Sequence, residues 1–544
     1  MAELRFRVAA GIVAAGLALG ASELVAAFVG PDSAPPNALG STVIDHTPDG
    51  LREWVIQTFG TNDKTLLFVC MALVAVLVAG FIGAIERTDH PRGSWLLAAL
   101  GLLTAAIAFG RTGLSAAWPT VIGVAAGIYA LRILTSRIDD AAAAAPVGVA
   151  PKAASGGETV TAEELASSSA GTAARSTAAA AEKEPSASGA QRRQVLRGIA
   201  ITGGLALLSG VGGRLIGAQR RDVSGERAAI QLPEPSGPAV SLAPDADLKL
   251  PGLTPYLTSN SDFYRIDTAL IVPQVSVDDW SLRIHGMVDH EIQLSWDDLA
   301  KRTPVETLVT LACVSNPVGG DLIGNASWRG YRLGELLAEA GPHPDADMVL
   351  SHSIDGFTAG SPLAVLTDGR DALLAVGMNG EPLPVAHGYP ARLVVPGLYG
   401  YVSATKWVTE LEITRFDRAT AYWTRRGWSA YGPIKTGTRI DTPRARAELQ
   451  PGRTAIAGVA WAQHRGIRAV EVQIDDGPWQ PARLSTEQSI DTWRQWVYEW
   501  NATPGPHTIR ARATDGTGET QTEARAPVVP DGATGYPSTT VTVG

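Results

Sequence analysis

Long uninterrupted runs of apolar residues dominate the first part of this chain. Four of them lie at about residues 8–30, 65–85, 94–110 and 112–131, and a fifth covers 198–217. The second run carries no charge and reaches the ~20 residues that a helix needs to cross a bilayer. We therefore predict an α-helical membrane region of four helices over residues 1–135, and a fifth transmembrane helix over residues 198–218.

Basic residues are unevenly distributed between these runs. They precede the first run, separate the second from the third, and are most frequent between the fourth and the fifth: Arg5 and Arg7, then Arg87 and Arg92, then Arg132, Arg137, Lys152, Arg175, Arg192, Arg193 and Arg197. The positive-inside rule places all three groups in the cytoplasm. We therefore predict a multi-pass cell-membrane protein whose residues after 218 lie on the extracytoplasmic side. A cleaved signal peptide at residues 1–21 is the alternative for the first run, and it leaves that orientation unchanged.

Residues 136–197 differ in composition from the apolar runs on either side. Between residues 139 and 191 there is no Phe, Trp or Tyr, and Ala, Ser, Gly, Glu and Thr predominate. Such a segment buries too little apolar area to fold, which predicts a disordered cytoplasmic linker. It ends at Arg192 and Arg193, directly before the fifth apolar run. This pair is either an internal twin-arginine export signal or a basic anchor that obeys the positive-inside rule.

From residue 251 onward the pattern is that of a globular protein, after a predicted extracytoplasmic linker at residues 219–250. Short β-rich segments alternate with short helical ones as far as residue 425, which predicts an α+β domain. Over residues 426–544 the helical pattern disappears, and apolar and polar residues alternate between turns. That alternation predicts a C-terminal all-β sandwich of immunoglobulin type.

Charge and cysteine content narrow the possible functions. The net charge is −9 and the isoelectric point is about 5.6, which argues against nucleic acid as a partner. Of the two cysteines, Cys70 lies inside an apolar run and Cys313 in a distant polar region, which argues against a disulfide. Cys313 ends a β-like run before a turn-forming segment. A lone cysteine is usually an inert buried residue, but a single thiolate also suits a soft or high-valent metal.

Three sequence blocks around Cys313 resemble the sulfite-oxidase family of molybdopterin-dependent oxidoreductases. They are Thr310–Asn316 with Ile323–Ala326 and Trp328–Gly330; Met378–Pro384 with His387, Gly388, Pro390, Arg392, Pro396, Gly397, Gly400, Lys406 and Trp407; and Asp262–Arg265. The resemblance implies a sulfite-oxidase-like molybdopterin domain over residues 251–425, followed by an immunoglobulin-like domain that dimerises many relatives. It also implies that Cys313 is the protein ligand of the molybdenum.

The resemblance implies cofactor-binding roles in the other two blocks. The residues that match His387, Arg392 and Lys406 hold the pterin and its phosphate, and a phosphate does need fixed cationic donors. Tyr264 and Arg265 lie in the early cofactor-binding loop, where Arg265 also lines the active site.

Two further positions are carried over from the same family. Asp355 lies in a region that contacts the cofactor. Phe357 stands where sulfite oxidases have a tyrosine near the metal, and Pro317 and Val318 stand where they have basic residues. A site with fewer cations binds a dianion less well. We therefore expect weak sulfite oxidation and a less charged S- or N-oxygenated substrate, small or protein-borne.

These observations predict a membrane-anchored enzyme that transfers an oxygen atom at a Cys-ligated Mo centre and exchanges electrons with a separate redox partner. The alternative is a membrane-anchored, non-catalytic binding protein that uses the immunoglobulin-like domain and keeps a degenerate cofactor fold. A b-type haem usually takes two axial histidines. Up to residue 218 the histidines are His46 and His90, both in predicted loops, so we expect no haem.

Overall fold

The computed structural model describes residues 2–59, 62–143, 187–237 and 240–544, and the chain divides into two units, Met1–Arg220 and Arg221–Gly544. The helices of the first unit are α1 (Ala2–Val29), α2 (Pro35–His46), α3 (Asp49–Phe59), α4 (Asp63–Ile85), α5 (Arg92–Thr112), α6 (Ala117–Ala143) and α7 (Ala187–Arg221). Five segments of the described chain are long and apolar enough to cross a membrane, in α1, α4, α5, α6 and α7. They correspond to the five apolar runs of the sequence.

Helix α1 packs against both α4 and α6 through small residues. A side chain at Gly11 would collide with the backbone of Ala79 and Gly83, and one at Gly123 would collide with Ala18. Small residues let helix backbones approach this closely, which is the usual way that helices associate in a bilayer. Cleavage near residue 21 would therefore cut a continuous helix against which α4 and α6 pack.

The predicted cytoplasmic linker lies mostly outside the described residues, which omit 144–186. Its two ends are helical, because α6 continues to Ala143 and α7 begins at Ala187. Ile138 and Val195 are buried there in one cluster with Ala10 and Leu134. This apolar packing explains why helical structure extends beyond the limits that composition alone indicated.

The second unit combines short helices with many strands. Its helices are α8 (Ser224–Ala229), α9 (Trp296–Ala300), α10 (Leu333–Ala340), α11 (Leu363–Thr367) and α12 (Gly400–Ser403). Its first ten strands are β1 (Ser281–Gly286), β2 (Ile292–Ser295), β3 (Val305–Ala312), β4 (Ile323–Arg332), β5 (Met348–Ser353), β6 (Thr358–Pro362), β7 (Leu373–Met378), β8 (Glu381–Pro382), β9 (Arg392–Val394) and β10 (Val408–Thr414).

These ten strands form two sheets. One has the order β2-β1-β10-β5-β6, and the other has the order β3-β4-β7-β8 with β9 paired to β7. Strands β1 and β10 run parallel, with Arg283 opposite Glu410, and the other pairs are antiparallel. The α+β class predicted for residues 251–425 is confirmed.

The C-terminal region consists of strands and loops apart from one short turn of 3₁₀ helix. Its strands are β11 (Gly437–Thr442), β12 (Ala447–Leu449), β13 (Gly452–Trp461), β14 (Ile467–Ile474), β15 (Gln480–Pro481), β16 (Arg483–Leu484), β17 (Arg494–Ala502), β18 (Gly505–Asp515) and β19 (Ser538–Val543). They form sheets of order β11-β13-β17-β16 and β12-β19-β18-β14-β15. Residues from both sheets share one buried cluster, which includes Ile456, Trp496 and Ile509, so the sheets pack face to face.

The C-terminal strands and the α+β region pack together. Trp461 and Trp493 belong to the same buried cluster as Leu308 and Ala312 of β3. Hydrogen bonds also join the two regions at Thr310, whose N–H donates to the carbonyl of Asp491 and whose hydroxyl accepts from the N–H of Trp493. The backbone three residues before Cys313 is therefore fixed by the C-terminal region.

The segment predicted as an extracytoplasmic linker is partly packed. Val223 and Ala246 are buried, and the N–H of Ala243 donates to the side chain of Gln488 at 2.6 Å. Helix α8 also lies in this segment. Residues 219–250 therefore do not form a detached tether as a whole, because short apolar side chains within them reach the core of the second unit.

Candidate active site

Cys313 follows directly after β3, as the sequence predicts. Its N–H donates to the carbonyl of Leu322 at 2.9 Å, and its own carbonyl accepts from the N–H of Asn316. The Asn316 side chain closes the turn by accepting from the N–H of Leu322 at 3.0 Å. The cysteine is 8% exposed, so the turn holds its thiol at the end of the sheet and largely away from solvent.

Tyr264 links Cys313 electrostatically to the second block of predicted site residues. Burial raises the pKa of the Tyr264 phenol, the negative charge of Cys313 raises it further, and the positive charge of Arg392 opposes both. The Tyr264 ring stacks on Phe263, with ring centroids 5.2 Å apart. Phe263 in turn packs edge-on against His387. The loop at Asp262–Arg265 therefore lies between the cysteine and the predicted pterin-binding residues.

Arg392 and His387 are buried side by side. The Arg392 guanidinium donates to the main-chain carbonyl of His387 at 3.1 Å and lies 5.0 Å from the centroid of the Trp328 ring. Burial lowers the pKa of Arg392 to about 10. Burial, followed by the charges of Arg392 and Lys406, lowers the pKa of His387 to about 4. Its Nε2 donates to the main-chain carbonyl of Asn260 at 3.1 Å.

Lys406 and Arg265 share a carboxylate that the sequence analysis did not single out. The Lys406 ammonium lies 2.9 Å from Oδ2 of Asp267, and Nε of Arg265 lies 2.8 Å from the same oxygen. Burial lowers the pKa of Lys406 to about 8, although Asp267 favours its charged form. The available signal for Asp267 was its position two residues after Arg265 in the early loop.

Gly388 allows these basic side chains to converge. It has a φ of +112°, and a Cβ atom there would lie 3.0 Å from Cβ of Arg392 and 3.1 Å from Cβ of Lys406. A larger residue would have to adopt an unfavourable backbone conformation and push both neighbours apart. The glycine therefore keeps His387, Arg392 and Lys406 close together.

Asp355 and Phe357 lie in the turn between β5 and β6. The Asp355 carboxylate accepts from the N–H of Phe357 at 3.0 Å, and the N–H of Ile354 donates to the carbonyl of Trp407. The turn therefore lies beside the residue that follows Lys406. The Phe357 ring packs against Tyr422, with centroids 5.7 Å apart. The phenol of Tyr422 therefore lies next to Phe357.

Tyr399 is a second residue that the sequence analysis missed. Its side chain is buried, and burial is the main reason that its pKa rises to about 12, with the charge of Asp531 and, to a smaller extent, that of Cys313 contributing. Only the fold brings Tyr399 near Cys313, through the helix α12 that begins at Gly400 beside Ala312. No local pattern distinguishes it from other buried tyrosines.

The residues present fit an anionic, metal-binding cofactor. Arg392, Lys406 and Arg265 bring three cations together, and in the described residues their ion pairs involve one carboxylate, Asp267. Arg265 is 39% exposed, whereas Arg392 and Lys406 are largely buried, and two buried cations beside one carboxylate are costly unless an anion such as a phosphate joins them. The described residues contain no group of three or more His, Cys, Asp or Glu that could hold a metal alone. A metal on Cys313 would therefore take further ligands from the cofactor.

Comparisons with known proteins agree with this geometry. A family model described as "Oxidoreductase molybdopterin binding domain" matches residues 269–423. Mitochondrial sulfite oxidase of Mus musculus is 30% identical over 291 residues, which cover 44% of this chain and 52% of that protein. The uncharacterized oxidoreductase YuiH of Bacillus subtilis is 33% identical over 153 residues, which cover 28% of this chain and 74% of that protein.

The chain spans about half the length of the sulfite oxidases that it matches first. Among solved structures, the sulfane dehydrogenase SoxCD from Paracoccus pantotrophus aligns with 55% of this chain and 85% of its own, at 22% identity and a TM-score of 0.45. The matched family segment contains Cys313, His387, Arg392 and Lys406. The chain therefore belongs to the sulfite-oxidase-type molybdopterin oxidoreductases, which are molybdenum-dependent enzymes.

Proposed function

We propose that this protein is a membrane-anchored oxidoreductase that transfers an oxygen atom to or from an S- or N-containing substrate, and exchanges electrons with a separate redox partner. One observation carries the proposal. The buried Cys313 and the basic residue Arg392, which donates to the carbonyl of His387, both lie close enough to Tyr264 for their charges to shift the pKa of its phenol. A basic cluster suits a phosphate, and a lone thiolate suits a metal that brings its own further ligands.

Each predicted site residue has a role in this proposal. Arg392 and Lys406 hold the phosphate of the molybdopterin, and His387, which burial keeps neutral and whose Nε2 donates to Asn260, offers Nδ1 as a hydrogen-bond acceptor. Cys313 ligates the molybdenum, and Tyr264 separates the metal end from the phosphate end. When bound, the cofactor supplies the oxygen-atom transfer and redox chemistry of the site.

Arg265, Asp355 and Phe357 belong to the substrate side of the proposed site. The Arg265 side chain is 39% exposed, so it can meet a substrate that arrives from solvent. Its pairing with Asp267 reduces the positive charge available to an anion. Phe357 offers an apolar ring, and Asp355 fixes the backbone of the turn that carries it.

This charge distribution favours a substrate with less charge than sulfite, small or protein-borne. Sulfite must exchange its hydration for cationic donors, and Pro317 and Val318 provide none. Each missing charged hydrogen bond costs about 1.5–3 kcal/mol. Steady-state assays with sulfite and with a panel of sulfoxides and N-oxides test this preference. Efficient sulfite turnover at micromolar concentration would contradict it.

The proposal extends to the setting of the enzyme. The distribution of basic residues supports an extracytoplasmic second unit, and Arg192 with Arg193 supports export of a folded domain. The face-to-face sheets after residue 426 support an immunoglobulin-like domain, suited to homodimerisation.

Without a haem in the membrane region, electrons pass to a separate protein or small carrier. A haem absorption band in the purified chain would contradict the last point.

Metal analysis is the central test of the proposed function. Full-length protein from a cofactor-competent host should contain one molybdenum per chain, and X-ray absorption should detect sulfur neighbours. Cys313→Ser should remove one of those sulfur neighbours. Folded wild-type protein that contains no molybdenum would instead favour a non-catalytic binding protein, an alternative that the intact basic cluster does not favour.

A further inference from the structure

We propose that residues 222–230 form a strap that positions the loop between Pro382 and Tyr389, and that Glu226 and Arg227 are therefore positioning residues for the cofactor. The inference rests on the proposed function, because the loop contains His387. In sequence the strap follows helix α7 directly, and it includes helix α8 (Ser224–Ala229).

Glu226 fixes the end of the loop at Tyr389. Its Oε1 accepts from the Tyr389 hydroxyl at 2.6 Å and from the N–H of Val277 at 2.9 Å, and its Oε2 accepts from the Ser276 hydroxyl at 2.7 Å. Tyr389 is fully buried and adjoins Gly388. The carboxylate thus joins the strap to residues 276–277 and to Tyr389. Tyr389 lies two residues after His387 in the chain.

Arg227 fixes the beginning of the same loop. Its Nε donates to the carbonyl of Leu383 at 2.8 Å, and its Nη2 donates to the carbonyl of Pro382 at 2.6 Å. An ion pair of 2.9 Å with Glu381 adds to these bonds. Consecutive residues of the strap therefore hold both ends of one loop. A surface segment that packed only by chance would not be expected to make this paired set of charge-assisted contacts.

The loop between these ends contains His387 and accepts hydrogen bonds from Arg392 and Lys406. The carbonyl of Val385 accepts from the Trp407 indole, that of Ala386 from the Lys406 ammonium, and that of His387 from the Arg392 guanidinium. A shift of the loop would therefore move two proposed phosphate donors together with His387. The positions of these side chains depend on the loop, and the loop depends on the strap.

Apolar packing holds the strap itself in place. Val223 is buried in the same cluster as Phe263, Trp328 and Tyr389, and Ile230 packs against that cluster. Phe263 and Trp328 contact His387 and Arg392, respectively. The strap is therefore attached to the walls of the site as well as to the loop.

The test uses full-length protein in detergent and the variants Glu226→Gln, Arg227→Met and Tyr389→Phe. The readouts are the rate at which the molybdenum and the fluorescent pterin leave the protein, and the thermal unfolding midpoint. We expect release to become about tenfold faster in each variant, because each loses a charge-assisted hydrogen bond that holds the loop. Tyr389→Phe keeps the buried ring, so it remains informative if the other variants fold poorly.

Asp515→Asn is the matched control. Asp515 at the end of β18 is a buried carboxylate that accepts from the hydroxyls of Thr436 and Thr517 and pairs with Arg465 at 2.8 Å. Its replacement should lower the unfolding midpoint without changing the release rate. Strap variants that lower the midpoint but release cofactor at the wild-type rate would overturn the proposal. Wild-type protein without molybdenum would instead refute the proposed function and, with it, the positioning role.

Discussion

Both units of this protein bury charge, but they balance it differently. In the first unit Arg7 is 4% exposed and pairs with Glu3 and Asp139, and it also donates to the carbonyl of Glu86. The Glu86 carboxylate is fully buried and accepts from the N–H and hydroxyl of Ser94, with Arg132 at 3.5 Å. Each of these charges meets an opposite charge within the helices.

In the cluster of Arg265, Arg392 and Lys406 in the second unit, the cations exceed the carboxylates. Arg265 and Lys406 share Asp267, while Arg392 donates to the main-chain carbonyls of His387, Leu393 and Ala404. Burial depresses the pKa values of both Arg392 and Lys406. A balanced network is complete without a ligand, whereas a buried excess of one charge is best explained by a ligand of opposite charge. Charge balance therefore distinguishes the Arg7 network from the proposed cofactor site.

The largest expected effect comes from removing a cation that lacks a carboxylate. Arg392→Met should reduce the bound molybdenum at least tenfold, because the phosphate loses a buried charged donor. The cofactor-free variant should be at least as stable as cofactor-free wild type, since a desolvated charge has gone. Elemental analysis and thermal unfolding measure both quantities. A variant that retains its cofactor and is strongly destabilised would mean that Arg392 is structural.

The same substitution in the balanced network should have the opposite outcome. Arg7→Met leaves Asp139 and Glu3 without their shared partner, and because both carboxylates are partly exposed the loss of these charge-assisted hydrogen bonds should cost about 1–3 kcal/mol. The molybdenum content of the protein that remains folded should be unchanged. Unfolding in mixed micelles, followed by circular dichroism, measures the loss. Equal stability of variant and wild type would show that the Arg7 network is dispensable.

Acid should destabilise the cofactor-free second unit through His387. Its pKa falls from 6.5 to about 4 on folding. Between pH 4 and pH 6.5, His387 is therefore protonated in the unfolded chain and neutral in the folded protein. The contribution of His387 to stability is therefore full above pH 6.5 and is lost as the pH falls towards 4. The loss is roughly 3 kcal/mol, at about 1.4 kcal/mol for each pH unit. Urea unfolding across this range, with His387→Gln as the control, measures it; parallel curves for the two proteins would contradict the assignment.

The substitution with the smallest expected effect tests whether charge balance or location in the second unit determines the loss of cofactor. Glu306 and Arg329 form a balanced, largely buried pair in the second unit, 2.7 Å apart, and Ser327 also donates to Glu306. Glu306→Gln should cost about 1–3 kcal/mol through weakened hydrogen bonds, with normal molybdenum content. Loss of cofactor in this variant would show that location in the second unit, rather than charge imbalance, determines the effect of a substitution.

Local sequence patterns predict the long helices and the position of Cys313, but they do not identify every residue near the candidate site. Apolar runs predict the five long helices because hydropathy over ~20 residues needs no tertiary information. A strand followed by a turn predicts where Cys313 lies. Asp267 and Tyr399 could not be assigned in this way, because their roles depend on neighbours that are more than 80 residues away in the chain.

The strap illustrates the same limit. Residues 219–250 contain few long apolar stretches, so composition favours a linker. Their contacts are individual side chains of Glu226 and Arg227 that reach into a distant loop. Similarly, the hydrogen bonds between Thr310 and the region of Asp491 and Trp493 depend on how the C-terminal strands pack. Nothing within either local sequence specifies such contacts.

The hydrogen bonds at Thr310 set the order in which the protein can mature. During synthesis the fifth apolar helix leaves the ribosome long before Trp493, which completes the environment of the strand that leads to Cys313. Parallel pairing of β1 with β10 likewise cannot form until residues 408–414 have been synthesised. Cys313 therefore reaches its final surroundings only when nearly the whole chain has been translated. If Cys313 ligates the molybdenum as proposed, the cofactor site is completed only after the five long apolar helices have been synthesised.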